Sequence, residues 1–143
     1  MTFKITKEEV VELLKAGGRF VMDGFGDSLD QVGREAFSQA IEIGIENTIA
    51  ALYDANVDDK EILRVVSEQW GLPIEEIEDR LIWEKHEVAI RALRQYLKLQ
   101  GYSPSEIRQF MQSNSALTKI RENRELWKLR NNPQKLMKVV QEE

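Results

Sequence analysis

A chain of 143 residues, 42% hydrophobic and 31% charged, is long enough for one domain with a real core and too apolar to be disordered. No run approaches the roughly 18 apolar residues of a membrane-spanning helix, and the lack of cysteine excludes disulfides, thiolate metal sites and a Cys nucleophile while fitting a reducing cytoplasm. The net charge of −5 is unevenly spread: residues 1–36 carry five basic and seven acidic side chains, residues 37–87 four and thirteen, and residues 88–143 eleven and five.

The opening "MTFKITKEEVVELL" has no apolar h-region and no small-residue cleavage site, so a secretion signal is not expected. Thr6-Lys7-Glu8-Glu9 has the pattern of a capping box, with Ile5 and Val10 as a hydrophobic staple, and predicts a helix to about Ala16 that Gly17-Gly18 stops. Phe20, Val21 and Met22 form an apolar run too short to separate strand from buried coil. Gly24-Phe25-Gly26 is half a phosphate loop. It lacks the third glycine and the lysine, and Asp23 and Asp27 flank it with the wrong sign, so a flexible joint is expected. Residues 1–27 therefore read as an N-terminal helix and glycine-rich joint, and 28–143 as a helical domain.

Asp27 or Ser28 can cap a long helix to about Ala55, with Val32, Phe37, Ala40, Ile41, Gly44, Ile45, Ala51 and Leu52 at helical spacing. Asp58 caps a helix over 59–70, ended by Gly71. Pro73 opens a second long helix to Gln100, with a stripe of Ile74, Ile77, Leu81, Val88, Ala92 and Tyr96 that Leu93 and Leu97 widen. Gly101 closes it. Ser103 or Ser105 caps a helix to about Gln112, another covers Ala116 to Arg130, and Asn132-Pro133 starts a last one through Val140. The three prolines all fall at expected helix starts. The fold class is all-α: one helical domain of six to seven helices built around two long ones.

A shift of 45 residues lays "LKLQGYSPSEIRQFM" (97–111) over "LYDANVDDKEILRVV" (52–66). Gly101 meets Asn56, both tolerant of a left-handed C-cap, and Ser103 meets Asp58, both N-cap types. This register suggests a duplicated helix-turn-helix unit, 42–86 repeated as 87–131. The alternative is that two corners share capping chemistry for the same physical reasons. The match fades beyond Val66, where Ile74 faces Lys119 and Ile77 faces Glu122. The spacing of Gly101, Glu106, Ile107 and Met111 resembles the helix-turn-helix of response-regulator-type transcription factors, although Arg108 and Gln109 stand where that unit usually has a small residue. In the first repeat, the helix after the short one begins "PIEEIEDR", whose carboxylates DNA would repel.

Catalytic signatures are sparse. His86, the only histidine, has Ile90 where a His-Glu-x-x-His metal helix needs its second histidine, and Trp83 where a di-iron helix needs glutamate. A solvated or interhelical role is expected for it. Glu75, Glu76, Glu78 and Asp79 read as a solvated face, and no catalytic group, cofactor or metal is expected. Trp70, Trp83 and Trp127 are mainly core candidates.

On the helix expected over 116–130, Arg121, Arg124 and Lys128 span about 60° of arc at 100° per residue. Ile120 and Trp127 lie at the edge of that stripe. An aromatic anchor beside a basic rim suits a partner-binding surface; the competing role for these cations is pairing with the acidic 75–79 helix inside the fold. The residues thus favour a non-enzymatic helical interaction module, an adaptor, inhibitor or regulatory subunit acting on a larger protein partner. The alternative is a nucleic-acid-binding transcriptional regulator reading through 101–128. A homodimer and a cytoplasmic location, with no membrane partner, complete the expectation.

Overall fold

The computed structural model describes residues 31–142, so the expected capping box at Thr6, the Gly17-Gly18 stop and the joint at 24–26 lie outside the described residues. Within them the chain is all-α, without strands. Helix α1 is Gln31–Asp54, α2 Asp59–Trp70, α3 Ile74–Leu99, α4 Pro104–Ser113, α5 Ala116–Glu122, α6 Arg124–Trp127 and α7 Pro133–Gln141; a 3-10 turn, Lys128–Asn131, joins the last two. No helix among the described residues is long and apolar enough to cross a membrane.

Helix ends follow the local chemistry. At the end of α1, Asn56 is left-handed (φ 60°). Its N–H donates to the Tyr53 carbonyl at 3.0 Å, and the next N–H, of Val57, reaches back to Leu52 O at 3.1 Å. At the end of α3, Gly101 is left-handed (φ 94°). Its N–H donates to Lys98 O at 3.1 Å, and Tyr102 N–H to Leu97 O at 3.1 Å. Both are Schellman closures, in which the paired backward bonds satisfy carbonyls that a helix end otherwise leaves open. The two corners therefore share one backbone pattern at the 45-residue offset. Val57 and Tyr102, which follow the two left-handed residues, are each half-buried.

The next helix starts differ. Ser103 makes the full capping box: its Oγ accepts from Glu106 N–H at 3.2 Å, and Glu106 Oε1 accepts from Ser103 N–H at 3.0 Å. Asp58, expected to cap α2, makes no side-chain cap bond. Glycine ends α2 as expected: Gly71 is left-handed (φ 66°) and donates to Ser67 O.

Packing divides the chain into two compact units, meeting in sequence at Leu81 and Ile82 within α3. The first unit's described core is Phe37, Ile41, Ile45 and Ile49 from α1, Ile62, Val66 and Trp70 from α2, and Ile77 and Leu81 from α3. Fully burying each large side chain is worth about 1.5–3 kcal/mol. The second unit's core takes Ala89, Ile90, Leu93 and Leu97 from α3, Phe110 and Met111 from α4, Ala116 and Ile120 from α5, Leu126 and Trp127 from α6, and Leu136 and Val140 from α7.

These cores revise three readings of the sequence. Ala51 is exposed, and Ile49 takes the buried place on α1. Ile74 is exposed, and in the second half of α3 the buried residues are Ala89, Ile90, Leu93 and Leu97, with Val88, Ala92 and Tyr96 only half-buried. A single stripe along α3 presumes a single core, whereas its two halves serve two. Finally, the helix expected over 116–130 is broken. Asn123 is extended (φ −124°, ψ 103°), and its side chain accepts from Glu125 N–H, ending α5 and capping α6.

Candidate functional site

The break at Asn123 separates the five residues expected to bind a partner, because the 60° arc required one continuous helix. Ile120 is fully buried and Trp127 is 7% exposed, so neither is a surface anchor. Trp127 Nε1–H donates to the Ile120 carbonyl at 2.6 Å, which satisfies its one polar atom inside the core. Arg121 donates to Glu87 on α3 at 3.1 Å and lies over the Trp83 ring, 5.0 Å from its centroid. Its internal partner is thus Glu87. Arg124 sits over the Trp127 ring at 5.8 Å, and Lys128 pairs with Glu125 at 3.1 Å on an open surface. Lys119 donates to the carbonyls of Val140 and Glu142 at 2.7 and 3.0 Å, where a cation satisfies the open end of α7.

Arg121 belongs to an aromatic cluster. Trp83 is the exposed tryptophan, at 55%, while Trp70 and Trp127 are core. His86 is buried between Trp83, whose ring meets it edge-on at 4.7 Å, and Trp127 at 5.9 Å. Its Nδ1 lies 3.6 Å from Glu87 Oε1 and has no hydrogen-bond partner among the described residues. Burial holds the imidazole pKa below its ordinary value. The Glu87 carboxylate opposes that shift and Arg121 adds to it.

The larger feature is a groove of about 1040 Å³ in the second unit. One wall is the face of α3 formed by Arg91, Arg94, Gln95 and Lys98. The other comes from the corner and α4, with Tyr102, Pro104, Ile107, Arg108 and Met111, and Leu117 of α5 contributes at one end. The lining holds four cations, no carboxylate and an apolar floor. Arg91 pairs with Glu84 at 2.9 Å. Arg94, Lys98 and Arg108 are exposed, and no ion pair within the described residues holds them.

The 45-residue register shows that packing does not require these cations. Arg94 stands where the first unit has Ile49, Lys98 where it has Tyr53 and Arg108 where it has Leu63. Ile49 is fully buried in the first unit's core, and Tyr53 and Leu63 pack against it. Three positions that serve one core are cationic in the other, and all three line the groove. They lie outside the 116–130 stripe to which the sequence points. A signal was present: 91, 94, 95 and 98 follow the i, i+3, i+4, i+7 spacing of one helix face, all polar and three of them cationic.

No family model, curated protein or solved structure matches the chain.

Proposed function

We propose that this chain is a non-enzymatic protein-interaction module, an adaptor, inhibitor or regulatory subunit, that engages a larger protein through the basic groove of its second unit. The observation that carries this reading is the presence of Arg94, Lys98 and Arg108 where the 45-residue register places Ile49, Tyr53 and Leu63 in the first unit. Filling the second core with apolar residues would favour stability, so a cationic lining points to a use outside the fold. An apolar floor with a charged rim is also the anatomy of a protein interface. The reading places the chain in the cytoplasm, as its lack of cysteine suits. It allows a homodimer as a companion state.

The alternative, a nucleic-acid-binding regulator using 101–128, would draw on Arg108 and on the cations of 119–128. The geometry favours it less. Its recognition helix is the seven-residue α5, and Lys119 and Arg121 of that helix are tied to Val140, Glu142 and Glu87.

The test is a photo-crosslinking residue at Gln95, which is exposed and lines the groove. The expected result is an adduct with a defined protein that disappears when Arg94, Lys98 and Arg108 are all changed to Glu, with the melting temperature unchanged. Adducts only to nucleic acid would favour the alternative.

A further inference from the structure

The first unit closes its core with the start of α3, and the chemistry of that segment is a pattern for what the groove takes. There Ile49, Ile62, Val66 and Trp70 pack against Ile77 and Leu81. These two residues lie four apart on the start of α3, one helical turn, among Glu75, Glu76, Glu78 and Asp79. The covering segment is therefore an acidic amphipathic helix presenting an i, i+4 apolar pair.

In the second unit the segment that follows α4 is the short α5, which buries Ala116 and Ile120 in the core. Ile107, the equivalent of fully buried Ile62, is only half-buried and lines the groove. An apolar ridge that one unit covers with its own helix is thus left partly open in the other. The residues around that ridge have turned basic.

We infer that the groove of the second unit receives an acidic amphipathic helix from a partner protein, seated with an i, i+4 pair of Ile or Leu on the half-buried Tyr102 and Ile107 and its carboxylates against Arg94, Lys98 and Arg108. Two properties select this occupant. The lining is cationic without a single acid, so its complement is acidic. The floor of the groove is apolar, through the half-buried Tyr102, Ile107 and Leu117, so the complement also presents an apolar face. Helix-in-groove docking uses i, i+4 anchors of this kind. The inference rests on the proposed interaction role and names the chemistry of its partner.

The experiment uses the full chain and a labelled synthetic peptide with the sequence of residues 72–86, which carries both the acidic face and the apolar pair. The peptide is stapled on its solvent side, because an isolated helix of this length is marginal in water. Fluorescence anisotropy should show saturable binding. Arg94→Glu, Lys98→Glu and Arg108→Glu together should weaken it about tenfold or more without changing the melting temperature. Replacing the peptide's Ile77 and Leu81 by Asp should abolish binding, and amide-exchange protection on binding should appear at 104–111.

Four outcomes overturn the inference: no binding; binding indifferent to the charge reversal; equal binding of a polyglutamate without the apolar pair; and tighter binding of duplex DNA. A concentration-dependent dimer of the chain alone, dissolved by the same reversal, would also overturn it by assigning the groove to a second copy. If the Gln95 crosslink still captures a protein while the peptide fails, the interaction role stands and the acidic-helix assignment falls.

Discussion

His86 shows how one residue type can reveal a position under separate constraint. The 45-residue shift sets it opposite Ile41, one position before the repeat begins, and both are buried. Core packing there accepts an aliphatic side chain, yet the second unit places an imidazole against two tryptophans with Nδ1 lacking a hydrogen bond among the described residues. Burial depresses its pKa, so below about pH 6.5 the unfolded chain takes up a proton that the folded chain resists. This group's contribution is therefore intact above about 6.5 and is lost as the pH falls toward the folded value. His86→Ile should hold stability at about pH 7.5 within roughly 1 kcal/mol. The variant should also lose less stability than the parent on acidification to about pH 5, as urea titrations at both pH values would show. An equal acid loss in parent and variant would exclude His86 as its source. At the first corner Asn56 already occupies the left-handed region. At the second, Gly101 has no neighbour within 4 Å of an added Cβ. Gly101→Val should therefore cost about 1–2 kcal/mol from backbone strain alone, and Gly101→Asn clearly less.

At the scale of the element, the two corners separate backbone pattern from side-chain capping. Their Schellman bonds match pair by pair, but only Ser103 adds a capping box. Ser103→Ala should cost about 1 kcal/mol in chemical denaturation, whereas Asp58→Ala should stay within about 0.5 kcal/mol. Glu106, the partner in the box, is held below the usual carboxylate range, first by the Ser103 backbone N–H and then by the Ser103 side chain. Its contribution is present above the unfolded carboxylate pKa and fades as the pH falls through the lower folded value. The Ser103→Ala penalty should accordingly shrink in acid. The break at Asn123 is the other consequence of capping. An asparagine whose side chain accepts from Glu125 N–H offers the backbone an alternative to continued helix, and Trp127 closes the bend by donating to Ile120 O.

Across the whole molecule, the three exchanged positions predict an asymmetry between units. Ile49→Arg would place in the first core the residue that its counterpart Arg94 presents to water. A charge at a site 1% exposed should cost about 3–5 kcal/mol. Arg94→Ile should be tolerated within about 1 kcal/mol, since it removes only an exposed cation, yet it should weaken partner capture. Melting curves of both variants check the pair. Equal penalties would mean that Arg94 is part of the fold after all. The skew of charge toward basic residues after Val88 follows the same division. Cations at the helix ends near Val140 and beside Glu87 are held internally, while Arg94, Lys98 and Arg108 of the groove have no ion pair within the described residues.

The all-α class, the span of α2, the ends of α1 and α3 near Asp54 and Leu99, and the pairing of the two corners were legible from residues alone. Each depends on chemistry within a few positions: a proline that fits only a first turn, a glycine or asparagine that tolerates positive φ, a serine facing a glutamate three residues on. Local rules of that reach could not decide which residues of α3 are buried, because its halves answer to different cores. They misplaced Ile120 and Trp127 for the same reason: an apolar pair beside arginines reads alike whether it faces a partner or its own interior. They also gave no weight to Arg91, Arg94 and Lys98, whose spacing is that of any solvated helix face. What makes that face a groove is Ile107 left half-covered across from it, and coverage is set by which distant segments pack against a residue, a quantity that only the tertiary structure contains.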